Sequence, residues 1–453
     1  MNFRLNALAS GVIAMSLAAS PTMAAVSPEE AERLGDDLTP MGAERAGNGD
    51  EIPAWDGGLT EAPDGYSPDG HYIDPFPDDE PLFVIDQSNV DEYEDRLSPG
   101  QVRMIERYDD YKMPVYETRR TAAYPQDIYD KAADNAVNTT LVEGGNGLED
   151  FDTATPFPIP ENGVQAIWNH ITRYRGGSVQ RDVGQVTPQE NGDYSVVQFD
   201  DEITWRSDLR DYDPEEDANV LFYFRQEITA PSRLAGNVLL VHETLDQVKE
   251  PRRAWVYNAG QRRVRRAPQV AYDGPGTASD GMRTSDNFDM YNGAPDRYEW
   301  ELKGKKEMYI PYNSYRFDDP SLDYDDIVHA GHVNQEHARY ELHRVWHVRA
   351  TLKEGERHVY AQRDFYLDED TWTASIIDHY DGRGDLWRVA EGHNMQLYDV
   401  KVPWFAFETL YDVLSGRYLV LGLTNEVNNP YEFGLDRRFG DYTPSALRRS
   451  GRR

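Results

Sequence analysis

The sequence contains no cysteine in 453 residues. That excludes disulfides, thiolate metal sites and a lipid-anchoring cysteine, so stability has to come from burial and polar pairing. Lysine is scarce, supplying eight of the 46 basic residues. Positive charge as a whole is short, because 81 acidic residues leave a formal net charge of −35. A field of that sign repels phosphate backbones, and no nucleic-acid partner is expected. The same composition fits a saline habitat, where salt screens self-repulsion, as well as a GC-rich genome that favours arginine codons. Long apolar runs are missing too: the run from Ala7 to Ala19 falls short of the ~20 residues that span a bilayer. There is no phosphate loop ending in Gly-Lys-Ser/Thr, no GxSxG elbow, no HExxH and no EF-hand loop.

The chain opens on "MNFRLNALASGVIAMSLAASPTMA", with Arg4 ahead of the apolar run and small residues up to Ala24. This reads as a signal peptide over 1–24 and places the mature chain in the periplasm, soluble after cleavage, with outer-membrane association as the variant of that reading. Residues 26–160 then hold 32 acidic against nine basic side chains. Their Pro, Gly and Asp content predicts an acidic extended arm with short helices over 25–160. Trp55, Tyr66, Tyr72 and Phe76 are the residues by which such an arm docks. Helix signals are Ser88 in "SNVDEYEDRL", Ser98 with Pro99 in "SPGQVRMIERY", and the run "GVQAIWNHITRY".

From about Ser178 short alternating runs recur between turn signals, among them "YSVVQFDDEITWR", "NVLFYFRQEIT", "YELHRVWHVRATL" and "LWRVAEGHNMQLYDV". Ten such runs predict one large antiparallel meander. Too few helices are available to cover so long a sheet, so it should curl into a half-barrel over 161–436, around helices or around a ligand. The fold class is therefore α+β, a large curved antiparallel sheet with packing helices. A basic flexible tail is expected at 437–453.

Candidate chemistry is thin. His329, His332, His337, His343 and His347 cluster in sequence, but His343 and His347 lie on an alternating run, ~13 Å apart at ~3.3 Å per residue. No metal site is assigned to them, and a metal-dependent enzyme stands only as a weaker alternative. Asp368, Glu369 and Asp370 read as turn formers. No catalytic residue and no cofactor are expected. The stronger signal is aromatic: Trp205, Phe222, Phe224, Trp255, Tyr257, Trp346 and Trp372 are candidates for lining a site for a hydrophobic ligand.

One further stretch stands out against the acidic background. "RRAWVYNAGQRRVRRAP", 252–268, holds six arginines. Asn258-Ala259-Gly260 reads as a three-residue hairpin loop with Gly260 left-handed. That register puts Trp255, Tyr257, Arg263 and Arg265 on one face, with Ala254, Val256, Val264, Arg262 and Arg266 on the other. A two-residue loop would instead pair Trp255 with Val264. Arg262, Arg263, Arg265 and Arg266 are candidates for anion or partner docking, against the plain reading of a solvated hairpin.

The motifs "LTPMGAERAGNGDEIPAWDGG", "LVEGGNGLEDFDTATPFPIP", "LAGNVLLVHETLDQVKEPRRAWVYNAGQRRVRRAP", "TSDNFDMYNGAPDRYEW" and "LYDVLSGRYL" resemble the proteobacterial family catalogued as domain of unknown function 1329, labelled outer-membrane lipoprotein-sorting proteins. The resemblance implies a fold like the lipoprotein carrier LolA and its receptor LolB, an open curved sheet closed by helices over a hydrophobic cavity. It also implies a setting beside an exporter of the resistance-nodulation-division type and an outer-membrane protein. It carries no catalytic residues. The function expected is a binding or carrier protein for a lipid or other hydrophobic ligand, accessory to an envelope exporter. The alternative is a ligand-free adaptor that docks through its acidic arm and basic tail.

Overall fold

The computed structural model describes residues 26–68, 70–215, 219–267 and 270–450. The expected signal peptide at 1–24 lies outside the described residues. The first strands are β1 (Phe83–Ile85), β2 (Met113–Tyr116), β3 (Thr140–Leu141) and β4 (Leu148–Glu149). A run of six follows: β5 (Ser178–Val186), β6 (Val197–Trp205), β7 (Val220–Ala230), β8 (Val238–Thr244), β9 (Arg253–Asn258) and β10 (Arg263–Arg266). The second run is β11 (Tyr298–Pro311), β12 (Tyr340–Leu352), β13 (Gln362–Asp368), β14 (Ala374–Tyr380), β15 (Leu386–Leu397), β16 (Val402–Asp412) and β17 (Tyr418–Leu423), with β18 (Tyr431–Phe433) after it.

Each run is an antiparallel meander, and the two are joined into one sheet where β17 pairs with β5 at Val420↔Val186. The single meander expected from sequence is thus two. After β10 the chain crosses to the far edge, restarts at β11 and works back to β5. Among the described residues nothing pairs β10 with β11, so the sheet stays open, as expected for a half-barrel. β2 runs parallel to the start of β12 at Val115↔Tyr340, with β1 outside it. Strands from before residue 160 therefore belong to the same sheet as the later chain, and the expected boundary there does not separate two cores.

The inner face is largely filled. The helix Gly163–Thr172 starts on Asn162, whose side chain accepts from the Gln165 N–H, and buries almost every residue against β11 and β12. Gly163 is needed at that approach, because a Cβ would lie 2.8 Å from the Trp300 backbone. The helix Pro99–Arg107 carries the expected Ser98 cap, closed into a capping box by Gln101. Its first turn sits on β14, where Ser98 Oγ and the Gly100 N–H both donate to Asp378 at 3.1 Å. One continuous core contains Ile85, Met104 and Met113 from the arm, Trp168 and Ile171 from the helix, and Phe365, Phe405 and Tyr411 from the sheet.

Three expectations need correction. "SNVDEYEDRL" forms two short 3₁₀ turns, Val90–Glu92 and Glu94–Arg96, without a side-chain cap. Asp368, Glu369 and Asp370 do form a turn, but a buried one. Arg120 bonds to Asp370 at 2.6 and 2.8 Å and to the carbonyl of Glu44 at 2.9 Å, while Lys305 and Arg344 hold Glu369. The turn is thus the anchor of the acidic arm. The expected flexible tail at 437–453 is docked through Leu447, residues 451–453 lying outside the described residues: Arg437 grips Glu202 at 2.8 and 3.0 Å, and Tyr442 and Leu447 are buried against the outer face of β7–β9. That face is apolar, carrying Tyr223, Leu240 and Tyr257, and the tail covers it.

Candidate functional site

The inner face is not filled everywhere. Over β7, β8 and β9 the covering element is an irregular segment, 270–292, and between it and the strands lies a cavity of about 170 Å³. Its floor follows from register. Phe224 pairs with Val241, Gln226 with Leu239, and Leu239 with Val256, and residues opposite one another share a face. Phe222, Phe224, Val241 and Val256 therefore present one apolar surface, roofed by Phe288, whose ring lies 4.9 Å from that of Phe224. β7 reads "VLFYFRQ", apolar on both sides, because Phe222, Phe224 and Gln226 face the cavity while Tyr223 and, across a bulge, Val220 face the tail.

Three charged side chains enter this apolar site. Glu243 and Arg252 neutralise each other at 2.8 Å. Glu243 also accepts from Asn292 at 3.0 Å and from Gln247 at 2.8 Å, while Arg252 donates to the carbonyls of Asn292 and Val270. Arg283 is different. It is 6% exposed, lies over the Phe288 ring at 5.8 Å, and makes no ion pair or side-chain hydrogen bond among the described residues. Burial lowers its pKa, and the nearby Glu408 and Asp201 carboxylates act against that. Asp201 is paired with Arg181 and accepts from Gln226, while Glu408 accepts from the Met290 N–H and burial pushes its pKa up to about 7, so neither forms an ion pair with Arg283. A small antiparallel bridge, Pro275↔Thr284, with the Gly276 N–H donating to the Arg283 carbonyl at 2.9 Å, fixes where Arg283 leaves the backbone.

The aromatic residues expected to form one lining are divided. Phe222 and Phe224 line the cavity. Trp205 stacks on Phe222 at 5.1 Å and backs the wall without lining it. Trp255 and Tyr257 point to the outer face, toward the docked tail. Trp346 stacks on Trp372 at 6.1 Å in the filled part of the core, under Lys305.

The hairpin register also differs from both expectations. The pairs are Arg263↔Asn258, Val264↔Tyr257, Arg265↔Val256 and Arg266↔Trp255, which leaves a four-residue loop. Arg262, at φ 53°, takes the left-handed conformation expected of Gly260. The reason is Asn258, whose side chain accepts from the Gln261 N–H at 2.8 Å and shapes the turn. Arg263 and Arg265 consequently share the face of Val256, at the rim of the cavity, and Arg266 shares the outer face with Trp255. Arg263, Arg265 and Arg266 are exposed, and none of the four candidate arginines has an ion-pair partner among the described residues.

Three of the five histidines are held by acids: His332 by Asp110 at 3.1 Å, His343 by Glu341 at 3.1 Å and His347 by Asp364 at 2.8 Å. His343 does converge with Asp368 and Asp370 within 4.8 Å. Asp370, however, is paired with Arg120 and Asp368 accepts from Thr371, so the trio carries its own partners. Sequence reasoning missed Arg283, Glu243 and Phe288, and counted Arg252 in the arginine cluster without making it a candidate site residue. The available signal was the long irregular stretch between β10 and β11, which carries Phe288 and Tyr291 and so had to dock on something.

Among the described residues no helix is long and apolar enough to cross a membrane. "Uncharacterized protein PA3922" of Pseudomonas aeruginosa is 65% identical to this chain over 446 residues, 98% of each. Two solved structures are similar at lower levels. An outer membrane lipoprotein-sorting protein domain from Vibrio parahaemolyticus is 12% identical, covering 60% of this chain and 92% of its own, with a TM-score of 0.42. A DUF1329 family protein from Desulfovibrio piger is 13% identical over the same shares, with a TM-score of 0.41. The model of the family described as "Protein of unknown function (DUF1329)" matches residues 84–448, and the chain belongs to that family.

Proposed function

We propose that the chain is a binding or carrier protein for a lipid-like or other hydrophobic ligand in the bacterial envelope, and that the cavity over β7–β9 is where the ligand sits. The observation that carries this reading is the apolar cavity itself, left open in an inner face that helices and the arm otherwise fill. Its size sets what part of a ligand fits. A volume of about 170 Å³ is close to the ~150 Å³ of cavities that take up benzene, and below the ~300–1,000 Å³ of drug-sized sites. One ring or a short alkyl segment enters in this conformation; a full acyl chain requires the 270–292 segment to move. Work beside an envelope exporter belongs to this proposal through the family resemblance. The adaptor reading loses its main support, since the arm is anchored on Arg120 and the tail on Glu202 within the same chain.

Val256→Trp tests the location. The added ring fills the cavity from a half-buried position, so binding of benzyl alcohol, followed by calorimetry, is expected to fall at least tenfold with little change in melting temperature. Unchanged binding would place the ligand elsewhere.

A further inference from the structure

Resting on that assignment of the cavity, the nature of the ligand can be narrowed. The cavity carries a charge imbalance. Glu243 and Arg252 cancel and have their hydrogen bonds filled, which leaves Arg283 as a buried guanidinium without an ion-pair partner among the described residues. A buried charge lacking a partner is strongly unfavourable, and proteins almost always pair or neutralise one. Arginine does not escape by losing its proton, because its ordinary pKa lies far above neutrality. Arg283 also lines the cavity and is not packed away from it. The rim adds charge of the same sign through Arg263 and Arg265, on the cavity face of β10 and unpaired among the described residues. In a chain of net charge −35, positive potential is thus focused on an apolar pocket.

We propose that the cavity is built for a small hydrophobic anion: a carboxylate joined to one ring or a short alkyl chain, its carboxylate on Arg283 and its apolar body against Phe222, Phe224 and Val256. The fork of a guanidinium matches a planar carboxylate through two parallel N–H···O bonds, and the surrounding rings exclude the water that would weaken them. Arg263 and Arg265 stand where they attract the anion toward the mouth without being needed to hold it.

Calorimetric titration of the full chain with matched pairs tests this: benzoate against benzyl alcohol, and hexanoate against hexan-1-ol. Each anion is expected to bind at least tenfold more tightly than its alcohol. Arg283→Met is expected to abolish that preference, the affinity of each anion falling to that of its alcohol. Should Arg283→Met fail to fold, Arg283→Lys replaces it, with the preference expected to shrink severalfold as the fork is lost. Equal affinity of anion and alcohol for the wild-type chain overturns the anion assignment and leaves the hydrophobic carrier standing. No binding by any of the four overturns both. A preference that survives Arg283→Met but is lost in Arg263→Gln/Arg265→Gln puts the charge recognition at the rim and overturns the role of Arg283.

Discussion

Glu391 shows how strongly single residues are tuned in this core. It is 1% exposed and accepts from the hydroxyls of Tyr340 and Tyr111 at 3.2 and 3.3 Å, yet burial outweighs these bonds and pushes its pKa up to about 7. The fold therefore favours the neutral acid. Its contribution is full below about pH 4.5 and is lost as pH rises through about 7, on the order of 3 kcal/mol in all. Glu391→Gln keeps the shape without the charge, so its stability relative to wild type is expected to rise between pH 5 and pH 8, as read by urea unfolding. A constant difference across that range would show that Glu391 is not the group responsible. Arg120 is the opposite case, a buried cation whose removal strands Asp370 and three arm carbonyls. Arg120→Met is expected to cost about 3–5 kcal/mol and to expose the 44–55 segment to proteolysis. A variant as stable and as resistant as wild type would refute the anchoring role.

At the scale of elements, the docked tail and the arginine hairpin make separable claims. Tyr442 stacks on Tyr223 at 5.1 Å under the strands whose other face floors the cavity. Tyr442→Ala is expected to cost about 3–5 kcal/mol and to raise hydrogen exchange in β7–β9, whereas an effect confined to residues after 437 would mean the tail is only a passive cover. Arg263→Gln/Arg265→Gln touches exposed side chains and should change stability by less than ~0.5 kcal/mol. Anion association, measured by stopped flow, is expected to slow and to lose much of its salt dependence.

Legibility in the sequence follows burial. A strand open to solvent at alternate positions over its first half, such as β11, alternates and can be read. β16, "VPWFAFETLYD", is buried at every position and so lacks the alternation that marks a strand. β5, "SVQRDVGQV", hides Arg181 and Asp201 as a buried pair across its neighbour β6, and its polar residues disguised it. Phe222 and Phe224 were found as strand aromatics. Arg283 was not, because it comes from a segment without periodicity, where sequence says nothing about the direction of a side chain.

At the scale of the molecule, two meanders meeting at β5 and β17 put the site at one end of the sheet and most of the core at the other. The helix Gly163–Thr172 and the arm occupy the inner face that an empty half-barrel would offer to a lipid. A large acyl cargo would have to displace buried structure, while a small amphiphile needs only the space present. Hydrogen exchange of the full chain, with and without saturating benzyl alcohol or benzoate, is the most direct measurement of this division. New protection is expected within 222–228, 238–243, 254–256 and 275–292, with 163–172 and 340–352 unchanged. Protection centred on 163–172 and 340–352, or none anywhere, would contradict the placement of the ligand over β7–β9.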